Sequence, residues 1–329
     1  MIVCPMDRPA CDVYFYEAFA EEVPELQKHL GPEIRAGFTW KTVQEEAHHT
    51  PPAALISIRT QSEIPDAWAK SVRGILARST GFDHLLAWRS ATSSPAALGC
   101  LSTYCGRAVA EQAALAWLAL LRRLPAQTTQ FPSFNRDGLT GVECEHRTLL
   151  VVGVGDIGHQ VARIGRGLGM HVLGVDLVHR HPDVVYVEVD EALPRADVIV
   201  CAMNLTQANT RYFAYDRLRK ARPGAVFVNV SRGEFSPCPD LLRLLDEHVL
   251  GGVALDVFEH EQALAHALRG GSVPDRAEFT AVLKLRERPN VLLTPHNAFN
   301  TVEALSRKAG QSAEQVRHFL KTGGFVWNV

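Results

Sequence analysis

At 329 residues the chain exceeds what one hydrophobic core usually fills, so two domains are expected. Its 34 Lys plus Arg stand against 36 Asp plus Glu, a formal charge of −2, which gives no cationic excess for nucleic acid or an anionic membrane. No apolar run reaches the length of about 18 residues that spans a bilayer, no basic-then-apolar leader opens the sequence, and the seven scattered cysteines form no Cys-x-x-Cys pair, a pattern expected of free thiols in a reducing cytoplasm.

The first hundred residues alternate strand and helix: strands over 13–16, 53–58 and 75–79, helices over 18–30 and 66–72. Residues 93–104, rich in Ser, Pro and small side chains, read as a loop. A helix follows over 107–123, nearly continuous in Ala, Leu and Trp. It is too apolar for solvent and is expected between layers or in a contact between subunits. The polar stretch 135–145 is a connector. Beyond it, apolar strands over 149–152, 170–175, 184–187, 198–201, 225–230, 253–257 and 291–293 make seven, the size of a full doubly wound sheet. Residues 301–321 have helical spacing with no further strand. The expected fold is thus two α/β domains with parallel sheets, Rossmann-like and flavodoxin-like. The later domain (103–299) is inserted into the first (1–102 and 300–329). Two chain crossings make a hinge there, and the cleft beside it is the expected active site.

The most specific signal is Thr148-Leu-Leu-Val-Val-Gly153-Val-Gly155-Asp-Ile-Gly158. Gly153 permits a tight turn, Gly155 lets backbone approach a pyrophosphate, and Gly158 lets the next helix pack on the strand. That helix starts at Asp156 or Ile157 and points its free N–H groups at the phosphates. Asp176, at the end of the next strand, is spaced to accept from the ribose hydroxyls and to repel a 2′-phosphate. NAD is therefore expected over NADP, with Arg180 near enough to soften the preference.

Three later strands end in residues suited to chemistry: Ser231-Arg232-Gly233, Asp256-Val-Phe-Glu259-His-Glu261, and Thr294-Pro295-His296-Asn297. A nicotinamide enzyme needs a proton-transfer group, an anchor for an anionic substrate and something to orient the base. Each residue also has a plainer reading: Arg232 as a surface arginine, Asp256 as a turn or cap, Glu261 as a solvated acid, His296 as a structural histidine.

These motifs, in this order, resemble the D-isomer-specific 2-hydroxyacid dehydrogenases, with supporting matches at Ser79-Thr-Gly81-Phe-Asp83 and Ala108-Val-Ala-Glu111. The resemblance spans about residues 55–305. Tyr104 and Pro295-His-Asn-Ala-Phe299 are most similar to the D-lactate dehydrogenases within that family. The resemblance implies that Arg232 holds the substrate carboxylate and polarises the 2-keto oxygen, while His296 is the acid/base. It implies that Glu261 orients the imidazole and favours its charged form, with Asp256 behind them. Thr80 and Gly81 would offer N–H groups to the carboxylate, and Tyr104 and Phe299 would wall the pocket. Asn204, Thr206, Ser231 and Asp256 would join Gly153, Gly155, Asp156, Ile157, Gly158 and Asp176 at the cofactor. No metal is implied.

The sequence departs from the family pattern at Arg107, Asn204 and Gln262, which bears on substrate preference and not on the three central residues. The expected activity is reversible, NAD-dependent reduction of a small 2-keto acid by a cytoplasmic homodimer. A phosphite-type dehydrogenase on the same scaffold, or an NAD-sensing corepressor-like binding protein, is the alternative.

Overall fold

The computed structural model describes residues 11–272 and 275–329. Cys4 and the start of the chain lie outside them. Two compact units are present: one runs to Tyr104 and resumes over Thr301–Val329, the other is Cys105–Asn300. The limits expected from sequence fall at 102/103 and 299/300.

The first unit carries a five-stranded parallel sheet of β1 (Val13–Phe15), β2 (Ala36–Phe38), β3 (Leu55–Ile58), β4 (Gly74–Ala77) and β5 (Ala97–Gly99), in the order β2-β1-β3-β4-β5. Sequence patterning misses β2 and β5. Each has only three residues, and β5 exists because its backbone pairs with β4, Gly74 with Ala97 through Leu76 with Gly99. Gly37 stands in β2 because a Cβ there would come within 2.5 Å of the Tyr14 ring. The helix expected from 18 begins at Glu22, after a turn closed by Glu22 N–H to Phe19 O, and Asp66–Lys70 is only a 3-10 turn. The helix Asp83–Thr92 is also absent from the sequence reading. The C-terminal helix Val302–Thr322 opens with the Thr301 hydroxyl accepting from Ala304 N–H, an N-cap that satisfies one of the first-turn donors.

The second unit carries seven parallel strands in the order β12-β11-β10-β9-β6-β7-β8. They are β6 (Thr148–Val152), β7 (His171–Val175), β8 (Val185–Tyr186), β9 (Val198–Cys201), β10 (Ala225–Asn229), β11 (Leu250–Leu255) and β12 (Val291–Leu293). The strand expected over 253–257 is shifted: β11 starts at Leu250 and ends before Asp256. Apolar side chains cover both faces of the sheet, as parallel strands require: Leu150, Ile199 and Phe227 pack with Phe213, Leu241 and Leu285 on one, and Leu149, Val151, Val200 and Val228 are buried on the other. The apolar helix, Gly106–Leu121, buries Val109, Ala113 and Trp117 within this unit, which accounts for most of its hydrophobic surface. Strand order reverses between β6 and β9, where open α/β sheets form their ligand crevices.

Candidate active site

Register brings the site together. Val175, Val152, Cys201, Asn229, Leu255 and Leu293 form one row across the second sheet. Every residue just beyond that row therefore emerges at the same C-terminal edge. That edge carries Asp176, Gly153, Ser231, Arg232, Asp256 and Thr294-Pro295-His296.

At the reversal point, Gly153 has φ +92°, and a Cβ on it would lie 2.6 Å from the backbone of Ala202 and Met203. Gly158 is held as tightly, since its Cβ would meet Gly153 O at 1.9 Å. These two glycines are required by the protein itself. Gly155 is not: a Cβ there would meet nothing within 4 Å, so the space it leaves open is available to a ligand. Gly155 sits at the N-cap of the helix Asp156–Gly167, with the helix's free N–H groups beyond it. Asp176 accepts from Val154 N–H at 2.6 Å and from Val178 N–H at 3.0 Å, which places its carboxylate against the glycine turn. This donor set and open space fit a dinucleotide. Thr206 and Asn209 cap a short turn after β9, and Asn204 O accepts from Asn209 Nδ2 at 2.8 Å.

Beyond β10, the Asn229 side chain organises the turn: Oδ1 accepts from Ser231 N–H at 3.0 Å, and Nδ2 donates to Arg232 O and Ser236 Oγ, both at 2.8 Å. Ser231 Oγ bonds Met203 O, joining the ends of β9 and β10. Arg232 is partly buried, and its Nη1 donates to Ser231 O at 2.9 Å. The backbone then passes so close to Phe258 and Glu259 that a Cβ at Gly233 would lie 1.9 Å from Phe258 C.

Beyond β11 and β12, Asp256 and His296 stand on two loops joined by the Asp256 side chain. Asp256 is 3 % exposed, and its Oδ1 accepts from Thr294 Oγ1 at 2.5 Å and Asn297 N–H at 2.9 Å. Its Oδ2 accepts from Ala298 N–H at 2.9 Å. Burial pushes its carboxyl above the usual range, although these hydrogen bonds oppose the shift. His296 has a left-handed backbone, φ +51°, and Nδ1 lies 2.9 Å from both Glu261 oxygens. Glu261 is the first residue of the helix Glu261–Leu268, where the helix dipole favours an anion. The two side chains are 18 % and 19 % exposed, so the pair is sheltered and still reachable.

Asn229, Gly233 and Thr294 lie in or beside the motifs read from sequence, which assigns them no role of their own. The available signal was a polar residue or glycine directly after a buried strand.

In the first unit the same rule operates. Phe15, Ser57, Leu76 and Gly99 align, and beyond them emerge Arg59, Thr80-Gly81 and the segment leading to Tyr104. Ser79 Oγ donates to Gly81 O at 2.6 Å, shaping the Thr80 turn, and Thr80 itself is exposed. Tyr104 is 4 % exposed, with its carbonyl held by Arg307 Nε at 2.8 Å. Phe299 of the second unit is 7 % exposed. Arg107 makes an exposed pair with Glu111 at 2.6 Å, while Arg59 is 8 % exposed with its guanidinium 4.5 Å from the Phe19 ring centroid.

A family model for the NAD binding domain of D-isomer specific 2-hydroxyacid dehydrogenases matches residues 114–298. The chain belongs to that family. A 2-hydroxyacid dehydrogenase A of Aspergillus oryzae is 30 % identical over 280 residues, covering 82 % of this chain and 78 % of that protein. A D-lactate dehydrogenase of Lactiplantibacillus plantarum is 26 % identical over 325 residues, covering 94 % and 93 %. The crystal structure of a D-lactate dehydrogenase from Aquifex aeolicus, complexed with NAD and lactic acid, superposes with a TM-score of 0.82 at 27 % identity, covering 95 % of this chain and 98 % of that one. The family assignment makes the protein an NAD-dependent oxidoreductase acting on CH–OH groups. No helix among the described residues is long and apolar enough to cross a membrane.

Proposed function

We propose that the protein reduces pyruvate and other small 2-keto acids to D-2-hydroxy acids, reversibly, as a D-lactate dehydrogenase-like enzyme. The observation that carries this reading is the Glu261–His296 pair standing on the same sheet edge as Arg232 and the glycine turn. Glu261 occupies Nδ1, so Nε2 is the nitrogen that meets the substrate oxygen as general acid or base.

Arg232 would grip the carboxylate and the 2-keto oxygen with its two-pronged donor geometry. Thr80 and Gly81 would supply backbone N–H groups to the same carboxylate. Gly153, Gly155, Asp156, Ile157, Gly158 and Asp176 would hold NAD, with Asn204, Thr206, Ser231 and Asp256 contributing around it. The bound cofactor supplies or accepts the hydride at carbon 2. Asp176 would favour NAD over NADP. Asp256 acts by fixing the loop that presents His296.

Tyr104 and Phe299 would wall the space around carbon 3. That favours methyl or aromatic substituents and offers no partner to a second carboxylate. A panel of 2-keto acids followed at the NADH absorbance tests this. Pyruvate, or a short or aromatic 2-keto acid, is expected to lead by roughly tenfold or more in kcat/KM. A lead by oxaloacetate or a phosphorylated acid would overturn the lactate-like assignment and implicate Arg59.

A homodimer is part of the same proposal, supported by the apolar helix Gly106–Leu121 and its neighbours. Leu115 there is 57 % exposed, and Phe131 and Phe134 beyond it are 72 % and 78 % exposed. The six described cysteines are free thiols, which supports a reducing, cytoplasmic setting.

A further inference from the structure

Away from the proposed catalytic residues, three side chains that commonly ligate metals converge. His159 lies on the helix Asp156–Gly167, and His181 and Asp183 lie on the segment between β7 and β8. His159 Nε2 is 3.0 and 3.1 Å from the two Asp183 oxygens. The rings of His159 and His181 stack with centroids 3.8 Å apart and an interplanar angle of 8°. One ligand atom from each of the three residues lies within 4.8 Å of the others, the only such His, Cys, Asp and Glu group found among the described residues.

An ion pair accounts for His159 against Asp183. It does not account for His181, whose ring lies parallel on that of His159, a placement that becomes repulsive if both rings are charged. We propose that His159, His181 and Asp183 form a binding site for one divalent cation of the zinc class, a function distinct from the 2-keto acid chemistry.

Two neutral imidazoles and a carboxylate make a borderline-soft donor set suited to zinc, with water completing a tetrahedron. Metal bonds of about 2.0–2.2 Å require ligand atoms roughly 3.3 Å apart. The His159–Asp183 pair already meets that spacing, so only His181 must draw inward. Arg166 bonds both the Asp183 carbonyl and Oδ2, which orients the carboxylate and leaves Oδ1 to the cation. Outer-shell partners of this kind hold ligands in metal sites. Asp183 is 47 % exposed, which gives an ion a route in. Once bound, the ion would tie the segment 177–184 to the glycine-turn helix.

Calorimetric titration of the metal-free protein with zinc chloride tests the proposal. One ion per chain is expected with micromolar or tighter affinity, weakened roughly tenfold or more in both His159→Ala and His181→Ala. The cobalt-loaded protein should show d–d bands without thiolate charge transfer, which separates this site from the cysteines. Zinc should slow hydrogen exchange over 177–184. Asp183→Asn serves as a third variant, and melting of the metal-free forms shows that each is folded. An absence of binding, undiminished affinity in the variants, or a thiolate band would overturn it.

Discussion

His296 illustrates how much one residue depends on its neighbours' backbone. Its left-handed conformation is uncommon for a non-glycine residue and persists only where the surroundings fix it. Here Asp256 does so, through the N–H groups of Asn297 and Ala298. His296→Ala is expected to lower kcat for pyruvate reduction by about 10² to 10⁴, the usual worth of acid/base help, with NADH affinity unchanged by fluorescence titration. Loss of NADH binding instead would place His296 in cofactor binding. Arg232→Lys is expected to lower kcat and raise KM together, because an ammonium cannot make two parallel bonds to a carboxylate and the developing oxyanion. A KM effect alone would confine Arg232 to ground-state binding. His296, Glu261 and Arg232 were visible in the sequence because each follows an apolar strand at a characteristic distance. The roles of Asn229 and Gly233 were not, since their importance lies in bonds and approaches to backbone that only the folded turn creates.

At the scale of the element, the parallel register decides which strand ends can cooperate. The row through Asn229, Leu255 and Leu293 puts the turns after β10, β11 and β12 side by side. Asp256 then bridges two of them by accepting from Thr294, Asn297 and Ala298. Asp256→Asn would turn an NH₂ group toward at least one of these donors, leaving buried donors facing each other. The expected cost is about 1–3 kcal/mol of stability with a lower kcat, read by denaturant unfolding and steady-state kinetics. Asp256→Glu should not rescue it, because the longer side chain displaces the carboxylate from those donors. A normal kcat in Asp256→Asn would show that His296 is held by other means. Six of the seven strands of the second sheet are legible as largely buried apolar runs, while β8, with Val185 62 % exposed, is announced only by the apolar stretch 184–187. Strands β2 and β5 are not, because Ala36-Gly-Phe38 and Ala97-Leu-Gly99 each carry a glycine and no β-branched residue, unlike the equally short β1 and β12. The helix Asp83–Thr92 lacked a side-chain N-cap and an apolar stripe to announce it.

At the scale of the whole molecule, stability of the first unit rests on charges that no reading of sequence would have buried. Glu22, Arg78 and Lys308, from three distant parts of the chain, are all 0 % exposed. Glu22 Oε1 is 3.0 Å from Arg78 Nε and 2.8 Å from Lys308 Nζ, while Arg78 Nη2 also bonds Tyr16 O at 2.6 Å. These contacts tie the residues just after β1 and β4 and the start of the helix Glu22–Leu30 to the C-terminal helix. Burial pushes the Glu22 carboxyl up, but Arg78, Lys308 and Arg59 outweigh it and hold it at about 2, below the ordinary 4.5. Burial pulls the Lys308 amine down to about 7 against the pull of Glu22. Arg78 stays charged at every relevant pH, so Glu22 keeps a cationic partner even where Lys308 loses its proton. A depressed carboxyl binds fewer protons folded than unfolded, so its stabilisation is complete above pH 4.5 and is lost as pH falls toward 2. Glu22→Gln leaves Arg78 without its buried counter-charge and lets burial neutralise Lys308, and is expected to cost about 3–5 kcal/mol at neutral pH. Its melting temperature should also fall less steeply than the wild type's between pH 4.5 and 2, because the titrating group is gone. Lys308→Met keeps the apolar stem and leaves Glu22 its contact with Arg78, so it should cost less than Glu22→Gln at neutral pH. Melting curves of the three proteins across pH read both expectations. Equal losses in the two variants, or an acid limb as steep in Glu22→Gln as in the wild type, would mean that packing around Phe15 and Leu26, and not this cluster, sets the unit's stability.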